Sequence, residues 1–359
     1  MNIEGKTYGT TKAGDRIDSV TITNNNGISI TAISYGAMLI SVKTPDKNGI
    51  SEEITLGKKD LEAYEAGHPF FGATIGRFAN RISGGSFSLN NNDYTLPLND
   101  DPNCLHGGSE GFDKQVWDIF PFKSEKEAGV KFSYISFDNE QGFPGKVEIT
   151  STYILTEKNE LFFNYEAITD KDTPINITNH TYWNLSGGKK DNILSHDLEL
   201  NCKSYLPVDE VLIPTGEIKN VSDTPFDFSV MKKIGKEINN VDGGYDHCWV
   251  TSNFSDSYSA NGNENLVNNL KESAPSAIAI EEDSGRKLEL FTTLPGIQFY
   301  AGNGLENETG RDSVYKKHGA FCLETQNFPD SPNKDNFPSP ILKPGEKYIH
   351  STMIRFSTI

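Results

Sequence analysis

Apolar and polar residues alternate with a period of two along much of this chain. Val147, Ile149, Tyr153 and Leu155 interleave with Glu148, Thr150 and Thr152, the pattern of a strand with one buried face. Leu161, Phe163, Tyr165 and Ala167 resume it one turn later, and the pairs Ile28/Ile30 and Leu288/Leu290 and the set Tyr348/Ile354/Phe356 predict further strands. Phe87-Ser88-Leu89 and Tyr94-Thr95-Leu96 flank Asn90-Asn91-Asn92-Asp93, whose residue types tolerate left-handed turn geometry, so a hairpin is predicted there. Helical spacing is scarce: Val230, Ile234 and Ile238 predict one short amphipathic helix, and residues 60–66 another. Strands and helices do not alternate as in a doubly wound nucleotide fold. Many short strands between Gly, Asn, Asp and Pro turns predict an all-β fold, a large antiparallel β-sandwich with few short helices. Residues 252–276, polar and rich in Asn and Ser, read as a long surface loop of hairpin-tip character rather than a boundary. The whole of 1–359 is therefore expected to be a single domain.

The length, 359 residues, allows either two domains or one large all-β unit at about 100–200 residues per domain. Lys and Arg number 33 against 50 Asp and Glu, a net charge of −17. That balance argues against a nucleic-acid partner, which needs clustered cations to neutralise phosphates, and against an anionic membrane surface. No apolar run approaches the ~20 residues of a membrane span, and the polar N-terminus lacks the apolar middle of a signal peptide. A cytoplasmic protein with no membrane partner is expected. Cys104, Cys202, Cys248 and Cys322 are widely spaced, which suggests reduced structural thiols rather than a disulfide framework or a zinc site.

Phosphate-loop, nucleophile-elbow, zincin and strand-placed dinucleotide signatures are all missing from the sequence. Five polar clusters remain. In Gly76–Ile82 (GRFANRI), Arg77 and Arg81 beside Asn80 offer a hydrogen-bonding fork for hydroxyls or carboxylates, or else a structural ion pair holding a loop. In NCLHGG, two glycines after His106 let backbone approach a ligand closely, or form an ordinary turn. In ITNHTYWNL, His180 lies among polar and aromatic residues and can exchange a proton near neutrality, or be a strand histidine satisfied by a carbonyl. In GGYDHCWV, Asp246 is an acceptor for polyol hydroxyls or a turn residue. Asp246, His247 and Cys248 point to alternate faces of a strand, so a shared metal is disfavoured. In FCLETQNFPDSPN, an apolar strand runs into Glu324, where burial can raise a carboxylate towards a working range, or where a salt bridge sits.

Taken together, GRFANRISGG, NCLHGG, NITNHTYWNLSG, GGYDHCWV, PGIQFYAGN and LETQNFPDSPN with the later NFPSPIL and PGE resemble the aldose 1-epimerases, in that family's order and over nearly the whole chain. The resemblance implies a β-sandwich with a concave sugar-binding face. It also implies interconversion of the α and β anomers of galactose, glucose and similar aldoses, with no cofactor and no metal. It assigns Glu324 as catalytic base and His180 as catalytic acid. Arg81, His106 and Asp246 are implied to grip the sugar, with Asn80, Tyr182 and Gln298 as further binding positions. Trp183 stands where many members carry Phe, a stacking variation. The expected partner is a free aldose, and the chain acts as a monomer or homodimer.

Ring opening on this reading needs an ionised Glu324 and a protonated His180. Ordinary values of ~4.3 and ~6.5 bracket pH 6 and make those the expected states. The Asp246 carboxylate is expected to favour protonated His180 further. The alternatives are a glycoside hydrolase using Asp246 and Glu324 as its carboxylate pair and a non-catalytic sugar-binding sandwich. A hexose-6-phosphate epimerase would want an additional basic cluster.

Overall fold

The computed structural model describes residues 1–252, 254, 261–262 and 264–359. Three large antiparallel sheets build it, with two-stranded ladders between them. The long sheet has nine strands in the order Asp118–Lys123, Glu127–Ser136, Val147–Thr156, Glu160–Thr169, Tyr348–Thr358, Arg286–Thr292, Ala277–Glu281, Asp197–Leu200 and Lys232–Lys233. An N-terminal sheet of five strands runs from Asn2–Thr10 to Ser51–Glu53. A second five-stranded sheet, the site sheet, has the order Lys219–Asn220, Cys202–Leu206, Asp246–Thr251, Gly296–Tyr300 and Cys322–Gln326.

The period of two sets the packing. Tyr153 faces Phe163 and Leu155 faces Leu161 across one ladder, and all four are buried on the inner face of the long sheet. Ile30, Val42 and Leu39 of the N-terminal sheet and Trp249, Ile297 and Phe299 of the site sheet join the same core. The predicted sandwich and its alternating strands are thus observed. Each fully buried large apolar side chain contributes about 1.5–3 kcal/mol, so a continuous interior of this kind, rather than any one contact, holds the sheets face to face.

Local signals behave as their chemistry dictates in two places. Asn90 and Asn91 take consecutive positive φ angles of 53° and 59°, joining the hairpin strands Ser86–Leu89 and Asn92–Thr95. The helix expected within 60–66 is Leu61–Glu65, and the Asp60 side chain accepts the Ala63 N–H at its start. The helix expected at 230–238 does not form. Lys232–Lys233 pairs with Asp197 and Leu198, short 3₁₀ turns follow at Ile234–Lys236 and Ile238–Asn240, and Val230 is 77% exposed. Gly235 in the middle of the run weakens a helix by about 1 kcal/mol, and strand pairing takes its place.

Residues 252–276 also differ from expectation. They link the site sheet to the long sheet, so they are a crossover rather than a hairpin tip. They include a helix, Glu264–Asn269, and Leu270 beyond it is buried against Phe162, Phe291 and Met353. The part of that surface-loop expectation falling on 253, 255–260 and 263 lies outside the described residues. Among the described residues, no helix is long and apolar enough to cross a membrane.

One polar node ties the long sheet to the other layer. The Tyr153 hydroxyl donates to the Ala37 carbonyl at 2.6 Å, lies 2.7 Å from Thr74 Oγ1 and accepts the Asn179 amide at 3.1 Å. Thr74–Ile75 pairs with Thr178–Asn179, so this node anchors the segment that carries His180. Tyr153→Phe leaves buried partners short of a hydrogen bond and is expected to cost about 1–3 kcal/mol in denaturant unfolding. A loss indistinguishable from zero would show that the node does not join the layers.

Candidate active site

Three neighbouring strands of the site sheet sort their residues strictly by parity. In Asp246–Thr251, Gly296–Tyr300 and Cys322–Gln326, His247, Trp249, Ile297, Phe299, Leu323 and Thr325 share one face, and most of them enter the core. The other face carries Asp246, Cys248, Gln298, Tyr300, Cys322, Glu324 and Gln326. Register then does the rest: Gln298 is paired with Glu324, and Asp246 and Cys322 are both paired with Tyr300. A one-residue slip would send the carboxylates into the core, so the apolar face fixes the polar one.

His180 and Tyr182 arrive on a segment beside this sheet. Trp183 pairs with Phe321 through two backbone hydrogen bonds of 2.7 and 3.0 Å, which sets His180 and Tyr182 alongside the Cys322–Gln326 strand. His180 Nε2 lies 3.5 Å from Glu324 Oε1, and its Nδ1 lies 3.5 Å from the Cys322 sulfur. The Tyr182 and Phe70 rings lie nearly parallel to the imidazole, at 5.0 and 5.8 Å. Trp183 itself faces the core against Phe356 rather than the cleft, so its difference from Phe is a matter of packing and not of stacking on a sugar.

The third wall is a pair of backbone conformations. Asn80 and His106 both have positive φ, 67° and 55°. The Asn80 N–H donates to His106 Nδ1 at 3.1 Å and the His106 N–H donates to the Asn80 carbonyl at 3.1 Å. Beside them Arg81–Ile82 pairs with Cys104–Leu105. Arg81 Nε donates to Asp100 at 2.7 Å, which holds its guanidinium at the cleft edge. Arg81 thus satisfies both readings, an ion pair with Asp100 and a place in the cleft, and Arg77 satisfies neither. Arg77 is buried against the carbonyls of Pro144, Gly145, Ser136 and Phe137, whereas Arg81 reaches the cleft. Gly107 is needed for a close approach, but to the chain itself: at φ 88° an added Cβ would sit 2.0 Å from the Gly76 carbonyl oxygen.

All eight residues anticipated from sequence, Asn80, Arg81, His106, His180, Tyr182, Asp246, Gln298 and Glu324, line one cleft of about 180 Å³. That is below the roughly 300–1,000 Å³ of drug-sized sites and suits a single small polar ring. A larger hollow of about 630 Å³, bordered by Asp209, Phe226 and His247, contains none of the eight, so size alone is a poor guide. Pro69, Phe70, Leu105 and Tyr300 also line the cleft and were missed. Tyr300 had a signal, the alternation through Gln298; Phe70 had none, because it sits in a turn at φ 60° and touches His106 edge-on at 4.6 Å.

Burial dominates the electrostatics. It pushes the Glu324 carboxyl well above its ordinary 4.5, Asp246 adds to the rise, and Arg81 opposes it. It pushes His180 down to about 4 and His106 well below 6.5. It raises Asp246 as well, against Arg81 and a 2.7 Å hydrogen bond from Gln298. The expected ionised Glu324 and protonated His180 are therefore not the favoured states of the empty cleft, and Asp246 does not rescue the imidazolium. Desolvation outweighs the nearby carboxylates. Glu⁻/His⁺ and GluH/His hold the same single proton, and the two shifts together favour the neutral form. Such a pair titrates as a unit.

His106, His180 and Glu324 place ligand-type atoms within 4.8 Å of one another. The Asn80 N–H occupies His106 Nδ1 and so fixes the ring proton on Nε2. His106 presents a donor there instead of the lone pair a metal needs, and the trio fits a hydroxylated ligand better than a cation. Glu324 Oε2 is buried without a partner and is free to accept from such a ligand.

A β-sandwich with a buried imidazole–carboxyl pair at the floor of a polar cleft is the class these features define. The chain belongs to the aldose 1-epimerase family, whose family model matches residues 18–355. It is 41% identical over 333 residues to the galactose mutarotase of Homo sapiens, covering 92% of this chain and 91% of that one. It is 36% identical over 345 residues to the aldose 1-epimerase of Escherichia coli, covering 94% of each. Among solved structures, galactose 1-epimerase from Lactobacillus acidophilus superposes with a TM-score of 0.84 at 27% identity over 99% of both chains. An aldose epimerase homologue from C. elegans gives 0.83 at 28% identity, over 94% of this chain and 98% of that one.

The same desolvation predicts how acid affects folding. His68, His106, His180, His196 and His247 are all depressed in the folded state, so below about pH 6.5 the unfolded chain takes up protons that the folded one refuses. Asp113, Asp246 and Glu324 are raised and act in the opposite sense over the same range, holding protons in the folded state. With five groups against three, the urea midpoint is expected to fall as pH drops from about 6.5 to about 4. A midpoint that rises over that interval contradicts the assigned burial.

Proposed function

We infer that this chain is an isomerase that interconverts the α and β anomers of free aldoses such as galactose and glucose, with Glu324 and His180 as its acid–base pair. The observation that carries the residue roles is the 3.5 Å approach of His180 Nε2 to Glu324 Oε1, beside a second carboxyl oxygen that lacks a partner. A sugar lying in the cleft donates its C1 hydroxyl to Glu324. Its other hydroxyls meet polar partners in Arg81, Asn80, Asp246 and Gln298, and His106 donates from Nε2. Tyr182 supplies an aromatic wall.

The chemical step moves two protons and one electron pair. Glu324 takes the proton from the C1 hydroxyl, the C1–O1 bond gains double-bond character, and the C1–O5 bond breaks. Its electron pair goes to O5, which takes a proton from His180. Rotation about C1–C2 presents the other face of the aldehyde, and the reverse transfers close the ring. The neutral pair of the empty cleft becomes the working ion pair by one internal proton transfer, and the sugar's hydroxyls replace the water that burial removed.

The family background favours free aldoses, and the acidic surface favours an uncharged sugar over a phosphorylated one. The glycoside-hydrolase alternative leaves His180 without a task, and a mere binding sandwich needs no proton-exchanging pair. A cytoplasmic location, action as a monomer or homodimer without nucleic-acid or membrane partners, and a single folding unit across 1–359 complete the reading.

Polarimetry on freshly dissolved α-galactose and α-glucose tests it. Glu324→Gln and His180→Asn are each expected to lower kcat by about 10²–10⁴-fold with modest change in KM. Near-wild-type turnover in either refutes the roles. A second expectation concerns pH: with His180 depressed to about 4 and Glu324 raised, the pair keeps its one proton through neutrality. Hence kcat/KM should be flat from about pH 6 to 7 and fall only towards about pH 4, as a second proton is taken up. An acid limb centred near 6.5 would show an unperturbed histidine.

A further inference from the structure

The imidazole of His180 is held at both ring nitrogens, and the second hold is unusual. Nε2 faces Glu324, while Nδ1 faces the sulfur of Cys322 at 3.5 Å, a normal distance for a hydrogen bond to sulfur. Histidines that exchange protons are commonly oriented through Nδ1–H by a carbonyl or a carboxylate, both of which only accept. Such a partner favours the charged ring, and the backbone carbonyl of His180 itself acts in that sense here. A thiol is different because it donates weakly through S–H and accepts weakly through sulfur.

Cys322 is fully buried and lies two residues before Glu324 on the same strand, on the same face. One strand therefore carries both the base and the group that orients the acid. Alternation fixes their separation, and the pairing of both residues to the Gly296–Tyr300 strand fixes their register. Tyr182 and Phe70 restrict the ring from its faces.

We propose that Cys322 is a positioning residue for the epimerase reaction, its thiol holding His180 with Nε2 towards the sugar in both charge states of the ring. In both charge states Nδ1 keeps its hydrogen and donates it to the Cys322 sulfur, which accepts. The proton that passes to O5 and back is the one on Nε2, the nitrogen that faces Glu324. No proton passes to or from sulfur and no bond to sulfur forms, so the one Nδ1–H···S hydrogen bond is kept as His180 cycles. The proposal rests on the acid role of His180 given above.

The test uses the full chain with Cys322→Val, Cys322→Ala and Cys322→Ser, read by polarimetry and by ¹⁵N NMR of the histidine ring nitrogens. Val fills the volume of the thiol without its hydrogen bond, and Ser keeps a group that both donates and accepts. Cys322→Val and Cys322→Ala are expected to lower kcat by about tenfold, the order of one lost hydrogen bond, with KM unchanged within about twofold. Cys322→Ser is expected to retain most of the wild-type kcat. In the spectra, the His180 Nδ1 resonance moves in the Val and Ala variants while those of His196 and His247 stay. If Cys322→Ala fails to fold, the volume-matched Val variant carries the test. Wild-type kcat in Cys322→Val, a Ser variant as slow as the Val variant, or an unmoved Nδ1 resonance overturns the proposal. Wild-type protein that leaves mutarotation at its spontaneous rate would overturn the functional reading instead, and the Nδ1 resonance would still report on the thiol.

Discussion

Everything in the cleft depends on holding an imidazole and a carboxyl 3.5 Å apart where water is excluded. Each group is 5% exposed or less, and neither readily carries a charge alone. In water the pair would settle into separate, hydrated ions. In this setting burial favours the neutral form of each, and whatever else enters can shift that balance. An incoming ring of hydroxyls is well suited to decide it, because each hydroxyl can donate or accept. On the proposed roles of Glu324 and His180, desolvation prepares the proton transfer, and the fixed tautomer of His106 turns a donor rather than a metal-binding lone pair into the cleft.

The sandwich supplies the rigidity this needs. Odd-numbered residues of the three site strands hold that sheet against the core, and the even-numbered residues cannot rotate away without unpacking them. Tyr153 reaches through the interior to Asn179, adjacent to His180, so the His180 segment is fastened to the far sheet as well as to its neighbour. Asn80 and His106 lock each other at two left-handed positions, one bond running from the Asn80 N–H to the His106 ring and the other from the His106 N–H to the Asn80 carbonyl. Left-handed geometry at a non-glycine residue costs of order 1–3 kcal/mol, and such sites tend to gather where function needs a fixed shape.

Much of this was legible in the residues. The alternation through 147–155 and 161–167 was sufficient for the strands, and the motif set for the family and for all eight cleft residues. What was not legible has physical causes. Val230, Ile234 and Ile238 have helical spacing, but Gly235 and pairing of Lys232–Lys233 with Asp197–Leu200 override it, a tertiary choice no local window contains. Residues 252–276 are polar on average, yet Leu270 is a core residue of the outer face of the long sheet. Phe70 reaches the cleft from a turn, where periodicity says nothing. The direction of the Glu324 and His180 shifts was not legible, because ordinary values for Glu and His presume water and burial is a property of the fold.

The central claim is that Glu324 and His180 together hold one proton throughout the neutral range. Infrared difference spectroscopy of the free protein, wild type against Glu324→Asp and Glu324→Gln with carboxyl-labelled glutamate, measures it without turnover. The account predicts a protonated-carboxyl band at neutral pH that is absent in Glu324→Gln and converts to a carboxylate band when galactose binds. A carboxylate signal for Glu324 in the empty cleft, titrating near the ordinary 4.5, would contradict it.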